Sequence, residues 1–314
     1  MSLEELESVS STIDDYCEEF LLIDPAKPKK QRTVLSVRGK LRTLQTRLLQ
    51  HVLIPAFTPS PYSHGGVAGR SIKTNVEPHL GSIYALTTDV SNFYPSIHYK
   101  RVYRLFCGHG CSPDVSRLCT MLTTWRFHLS LGLVTSPIIA DQVFLSIDER
   151  IAAACARMGL VYTRFVDDIS ISGTFDLSPR RCGIARMVER IIDEHGFASH
   201  KDFHGRLDKG VCLTKLRVRN GRIDVRSEYA MELDRQLEDA ASLARDEAFA
   251  GPFFTQAQIR GRMHFVKWIN AGRWGYFWKR FRTVDWNSHF NNGKRRGLVI
   301  ARKELTPILK STGL

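Results

Sequence analysis

The sequence predicts a mixed helix-and-strand fold of the α/β (α+β) kind, and three observations predict it. Two short runs rich in Val, Ile and Phe flank the adjacent aspartates of Phe165-Val166-Asp167-Asp168-Ile169-Ser170-Ile171, the composition of two strands joined by a turn. A second apolar run, Ala85-Leu86-Thr87-Thr88, ends at Asp89 and leads into Ser91-Asn92-Phe93-Tyr94-Pro95-Ser96, which reads as a strand turning into a helix. Much of the remaining chain carries apolar residues at helical spacing.

From the start, residues 1–24 read as an acidic amphipathic helix, with Leu3, Leu6, Val9, Ile13, Tyr16, Cys17 and Phe20 on one side. Residues 24–32, with two prolines and several bases, form a basic loop leading to a strand at 32–37. Residues 39–53 predict a basic helix stopped by Pro55. A Pro-, Ser- and Gly-rich loop at 58–69 precedes a helical segment at 70–79 and the Asp89 strand. Helices are expected at 99–106, 113–124, 139–157 and 177–195, the Asp-Asp hairpin falling between the last two. Residues 211–225 read as a hairpin turning at Asn220-Gly221, and helices follow at 227–249 and 256–270. The stretch 268–286 interleaves aromatics with bases, a pattern suited to stacking on bases and contacting phosphates and equally to a helical core with a basic face.

The chain of 314 residues is 43% hydrophobic and 25% charged, ordinary for a folded protein and long enough for two or three subdomains. No apolar run reaches the roughly 18 residues of a membrane helix, and the start lacks a secretion signal; a cytoplasmic location is expected. Seven cysteines without a CxxC pair argue against a disulfide framework. Cys107-Gly-His109-Gly-Cys111 offers three ligands but no partner cluster, so it reads as a turn. Net charge is +13, and it is unevenly spread. The first 24 residues hold eight acids and no Lys or Arg, leaving 45 cations against 24 acids in the rest, a net of +21. A polyanion partner is the first expectation.

Adjacent aspartates at a hairpin tip hold negative charge on a stiff support, which is what hard divalent cations require. Placing the Asp89 strand beside that hairpin brings Asp89 against Asp167 and Asp168. This is the expected frame of a two-metal phosphoryl-transfer site.

The ordered motifs resemble reverse transcriptases, most of all bacterial retron-type and defence-associated enzymes. The resemblance runs from about residue 27 to 225, with a weaker thumb-like tail to about 290. It rests on Arg32-Thr33-Val34 with the helix at 41–49, on Gly69-Arg70-Ser71-Ile72 and Asn75-Val76-Glu77-Pro78-His79, on Asp89 to Ser96 as motif A, on Thr135-Ser136-Pro137 as motif B, and on Phe165-Val166-Asp167-Asp168 as the aromatic-x-Asp-Asp box. It implies a right-hand polymerase, with an N-terminal helix at 1–24, fingers at 25–82, a palm at 83–226 that includes a fingers portion at about 100–135, and a helical thumb and tail at 227–314.

Site roles follow from the resemblance. Asp89, Asp167 and Asp168 are the catalytic carboxylates and, with the Val90 carbonyl, ligands of two Mg²⁺ ions that Mn²⁺ can replace. Arg32 with Lys29 or Lys30, the backbone amides of Asn92 and Phe93, Tyr94 as the ribose-excluding aromatic, and Lys201 as a motif D lysine bind the incoming dNTP. Arg70, Trp274, Lys279 and Arg280 contact nucleic acid. Departures are also visible. Motif B reads Leu129-Ser130-Leu131-Gly132, with Leu131 in place of the usual glutamine. Phe165-Val166 replaces Tyr-Ala, and Val211-Cys212-Leu213-Thr214-Lys215-Leu216 matches the retron Val-Thr-Gly box only loosely.

The resemblance thus implies an RNA-directed DNA polymerase that copies a dedicated noncoding RNA in antiphage defence. Template and primer RNA, DNA product and dNTPs are its partners, with room for a second subunit or a second copy. Two alternatives stand beside it. One is an untemplated or protein-primed DNA polymerase on the same fold, motivated by Leu131. The other is a non-catalytic RNA-binding scaffold paired with another polymerase.

Overall fold

The computed structural model describes residues 2–24, 27–249, 251–301 and 304–307. They fall into two compact units, one of residues 1–205 with 303–314 and the other of 206–302.

The first unit opens with helix α1 (Leu3–Ser11), capped by a reciprocal Ser2–Glu5 box. The acidic helix expected over 1–24 ends there. The hydroxyls of Ser10, Ser11 and Thr12 bond back to the carbonyls of Glu7 and Ser8, competing with helix propagation. After a 3₁₀ turn (Ile13–Tyr16), the chain becomes strand β1 (Cys17–Asp24), paired antiparallel with β2 (Lys27–Val37). Helix α2 (Gly39–Leu48) runs on through a π-turn (Leu49–Leu53) into a last turn, α3 (Ile54–Ala56). Pro55 therefore sits inside the end of the helix rather than just past it. Val9, Cys17, Leu35, Val37, Leu41 and Leu44 share a small core with Leu122 and Trp125.

Helix α4 (Ile72–Val76) starts only at the Ser71–Thr74 capping box. A 3₁₀ turn (Glu77–His79) follows, giving way to strand β3 (Tyr84–Val90), α5 (Tyr99–Gly108) and α6 (Pro113–Thr123). The long α7 (Ser136–Arg157) leads into β4 (Val161–Phe165) and β5 (Asp168–Gly173). Helix α8 is shorter than expected, Ile184–Glu194: Pro179 and Gly183 keep 177–183 in turns. Strand β6 (Ser199–Arg206), absent from the sequence reading, completes a four-stranded sheet of order β4-β5-β3-β6.

Register decides which residues face which way. Leu86 of β3 and Tyr162 of β4 both pair with Ile171, and Thr88 and Arg164 both pair with Ile169, so these side chains share one sheet face. Leu86, Tyr162, Ile169 and Ile171 on this face join Phe144, Ile147 and Ile151 of α7 and Val188 and Ile192 of α8 in the main core. The opposite face carries Asp89 paired with Asp168 and Thr87 paired with Ser170.

The second unit begins with a three-stranded meander, β7 (Cys212–Leu213), β8 (Leu216–Arg219) and β9 (Arg222–Val225). Asn220 and Gly221 take φ of 50° and 66°, the left-handed pair a tight hairpin needs. Helices α9 (Ser227–Ala244), α10 (Gln256–Ile269), α11 (Trp274–Thr283) and α12 (Trp286–Arg295) follow. The meander, read from sequence as part of the palm, clusters with these helices, and Arg273 pairs with Asp224 of β9 at 2.7 Å. The chain then returns to the first unit as β10 (Glu304–Pro307), antiparallel to β1. No helix among the described residues is long and apolar enough to cross a membrane.

Candidate active site

Asp89 ends β3 and faces Asp168, the first residue of β5, directly across the antiparallel ladder. Asp167 lies in the two-residue turn between β4 and β5. The Val90 N–H donates to the Asp167 carbonyl at 2.9 Å, tying the end of β3 to the turn. The side chain of Val90 is buried in the core. The sheet thus brings the three expected carboxylates to one end of its inner strands. Hard oxygen donors of this kind suit Mg²⁺ or Mn²⁺. They are not drawn into a closed coordination sphere: among the described residues, no three His, Cys, Asp or Glu side chains form a group able to hold a metal ion. Cys107 and Cys111 form no such group either, and His109 packs its ring against Phe57 at 4.6 Å.

The turn itself is held in an unusual shape. Val166 has φ of 59°, a left-handed conformation that a β-branched residue adopts only under constraint. Gly65 supports it from one side: a Cβ there would lie 2.6 Å from the Val166 nitrogen. Residues 62–64 run beside β4, with the Arg164 N–H donating to Tyr62 O at 2.8 Å and the His64 N–H to Arg164 O at 2.7 Å.

The segment after Asp89 turns sharply. Asn92 is exposed at φ 47°, a conformation Asn tolerates. Phe93 turns inward, edge-on to Phe144 at 5.5 Å and against Phe197 at 6.4 Å. Tyr94 is half-buried beside it. Burial, reinforced by the charge of Asp167 and eased by Arg164, pushes its hydroxyl up to about 12.

No protein-family model matches the chain. Comparison with curated proteins finds the retron Mx65 reverse transcriptase of Myxococcus xanthus, 31% identical over 198 residues, 56% of this chain and 46% of the relative. The retron Mx162 reverse transcriptase of the same organism is 29% identical over 57% of this chain and 42% of the relative. The retron Ec86 reverse transcriptase of Escherichia coli is 28% identical over 55% of this chain and 53% of the relative. Over a little more than half its length, this chain is similar to the retron reverse transcriptases. It spans about half the length of the curated relatives it matches.

The loop that holds Leu131 is bolted to β2. The Leu35 N–H donates to Leu131 O at 2.8 Å. Gly132, at φ 114°, lies so close that a Cβ would sit 1.9 Å from the Leu35 carbonyl oxygen. The Leu131 side chain is 37% exposed. Arg32 on β2 is exposed, while the side chains of Lys30 and Lys201 lie outside the described residues. Arg70 spends its guanidinium on its own chain, donating to the carbonyls of Ser60 and Ser63. In the second unit, Trp274 stacks on Trp278 at 5.2 Å with Lys267 over its ring, and Arg280 pairs with Asp234 at 3.1 Å. Lys279 is exposed.

Sequence reasoning passed over the groups beneath the hairpin. Arg164 is 1% exposed, bonded to Asp148 at 2.7 Å and Asp141 at 2.8 Å, both on α7. Burial opposes its charge, and the two carboxylates more than restore it. Tyr162 donates to Asp148 at 2.6 Å, and the Ser60 N–H to Asp141 at 2.9 Å. The available signal was an arginine on the apolar face of a strand, with two aspartates seven residues apart on one helix.

Proposed function

We propose that this chain is an RNA-directed DNA polymerase working by two-metal phosphoryl transfer within a right-hand architecture. The observation that carries the reading is the pairing of Asp89 with Asp168 across β3 and β5, with Asp167 in the adjoining turn. The names of the curated relatives and the basic charge of the chain beyond its first 24 residues support it. Asp89, Asp167 and Asp168, with the Val90 carbonyl, would hold Mg²⁺. Bound there, Mg²⁺ would supply Lewis acidity for the primer 3′-hydroxyl and for charge on the leaving pyrophosphate. Tyr94 stands beside Asp167 as an uncharged aromatic and shapes the space for the incoming sugar. Asn92 and Phe93 offer backbone amides to phosphate oxygens, and Arg32 offers its charge to the triphosphate. A dedicated noncoding RNA template and a role in antiphage defence belong to this reading through the retron resemblance.

The test uses the full chain purified with whatever RNA accompanies it, labelled dNTPs and Mg²⁺, and the variant Asp167→Ala/Asp168→Ala. The reading expects DNA that requires the aspartates and vanishes after prior RNase treatment. Aspartate-dependent DNA that survives RNase replaces it with untemplated or protein-primed synthesis. Absence of incorporation by wild type with its RNA refutes it in favour of a scaffold.

A further inference from the structure

We propose that Arg164 is a positioning residue: pinned by Asp141 and Asp148, its guanidinium holds the Val166 carbonyl and so sets where Asp167 and Asp168 stand against Asp89. The inference deepens the polymerase reading and rests on it for the meaning of those carboxylates.

Three observations carry it. The first is how the guanidinium is used. Nε and Nη2 donate to the two carboxylate oxygens of Asp148 at 2.8 and 2.7 Å, and Nη2 also reaches Asp141 at 2.8 Å. A two-pronged grip of this kind fixes the plane of the group as well as its place. Nη1 is thereby aimed at the Val166 carbonyl, which it meets at 2.9 Å. The bond runs from a fully buried, fully oriented cation to the turn that carries Asp167.

The second observation is the strain it opposes. The two-residue turn between paired Phe165 and Asp168 calls for a left-handed residue, and Val166 fills that place at φ 59° at a cost that its surroundings must hold down. Gly65 presses on its amide side, and Arg164 draws on its carbonyl side. Without the second restraint the strained residue is held only by the Gly65 contact and the pairing of Phe165 with Asp168, and the peptide that follows it can rotate. That rotation swings Asp167 away from the end of β3.

The third is the reach of the group. Its central carbon lies 4.8 Å from the Phe144 ring centre and 5.9 Å from that of Phe93. One side chain therefore touches α7, the hairpin turn and the segment following Asp89, the three parts whose relative placement defines the site. A salt bridge kept only for stability has no need of the Val166 bond, because apolar residues of like volume stabilise a core at least as well.

The test separates position from stability. Arg164→Lys keeps the buried charge but cannot reproduce the fork. Arg164→Met/Asp141→Asn/Asp148→Asn removes the buried charges together. Both are compared with wild type by thermal melting, by kcat and KM for dNTP, by Mn²⁺ affinity from electron paramagnetic resonance, and by hydrogen exchange at the Val90 amide, which reports its bond to Asp167. Expected for Arg164→Lys is a cooperative melt, a kcat lower by about 100-fold with KM changed by less than about threefold, weaker Mn²⁺ binding and faster exchange at Val90. If the triple variant also folds, the same pattern is expected there. A folded Arg164→Lys with wild-type kcat, Mn²⁺ affinity and Val90 exchange overturns the proposal. Equal losses in melting temperature and in every other readout, restored together by the triple variant, overturn it in favour of a purely structural pair. If wild type proves inactive, the polymerase reading fails, and Mn²⁺ affinity with Val90 exchange still decides the role of Arg164.

Discussion

Replacing Gly65 with alanine adds one methyl group against the back of the acidic hairpin. The new Cβ would lie 2.5 Å from Val166 Cγ2, 2.6 Å from the Val166 nitrogen and 3.1 Å from the Phe165 carbonyl carbon. Rotating the valine side chain relieves only the first of these. Ordinary contact begins at 3.4 Å, so the turn backbone must retreat by about 0.8 Å. Overpacking of this kind destabilises by about 1–3 kcal/mol, a fall in melting temperature of roughly 2–4 °C per kcal/mol for a unit of this size. The effect on chemistry is larger, because misplacing reacting groups by about 1 Å costs on the order of 100-fold in rate. On the polymerase reading, steady-state incorporation of labelled dNTP with the RNA that accompanies the chain, run beside a circular-dichroism melt, checks both. The expected variant is folded, slightly less stable and about 100-fold slower. A Gly65→Ala enzyme within threefold of wild-type rate, with an unchanged melt, would show that the turn does not depend on this contact.

Two further outcomes follow from the same structure. Gly132→Ala places a Cβ on the Leu35 carbonyl at a φ that L residues resist, and a loss of at least about 3 kcal/mol is expected in urea titration; an unchanged midpoint contradicts the close approach. His79 is buried, with its ring nitrogens bonded to Ser172 at 2.6 Å and Thr163 at 2.8 Å. Burial, aided by His64, lowers it from 6.5 to about 4. The unfolded chain therefore binds the extra proton between these values. The stabilisation is complete above pH 6.5 and is lost as pH falls toward 4, by about 3 kcal/mol. Urea midpoints at pH 7 and 4.5 for wild type and His79→Gln measure it, and equal pH dependence in both proteins excludes the assignment.

The frame of the site was legible because its signals are local. Strand formers flank Asp167 and Asp168, an apolar run ends at Asp89, and Asn220-Gly221 marks a hairpin. Other parts were hidden for physical reasons. In β1, Phe20 and Cys17 happen to continue the helical spacing of α1, and only pairing with β2 makes the segment a strand. Strand β6 is polar and has little strand propensity; the carbonyls of His200 and Phe203 accept from the hydroxyls of Thr88 and Thr87 on β3. The Arg164 network joins residues from β4, α7 and the loop at Ser60, a convergence that only tertiary structure creates. Arg70, taken from sequence for a nucleic-acid contact, serves a loop whose carbonyls have no other signature.

The pairing of β3 with β5 joins Tyr84 to Gly173 and Asp89 to Asp168, so the acidic end of the sheet is a long-range product of the chain. At roughly 5–20 residues per second on the ribosome, Asp168 emerges about 4–16 s after Asp89. Throughout that interval β3 has neither neighbour, because β5 and β6 are both still unmade. An apolar strand with two open edges is a template for pairing with the wrong chain. The centre of this sheet is thus exposed to misassembly in the nascent protein, and slower translation between β3 and β5 lengthens the risk.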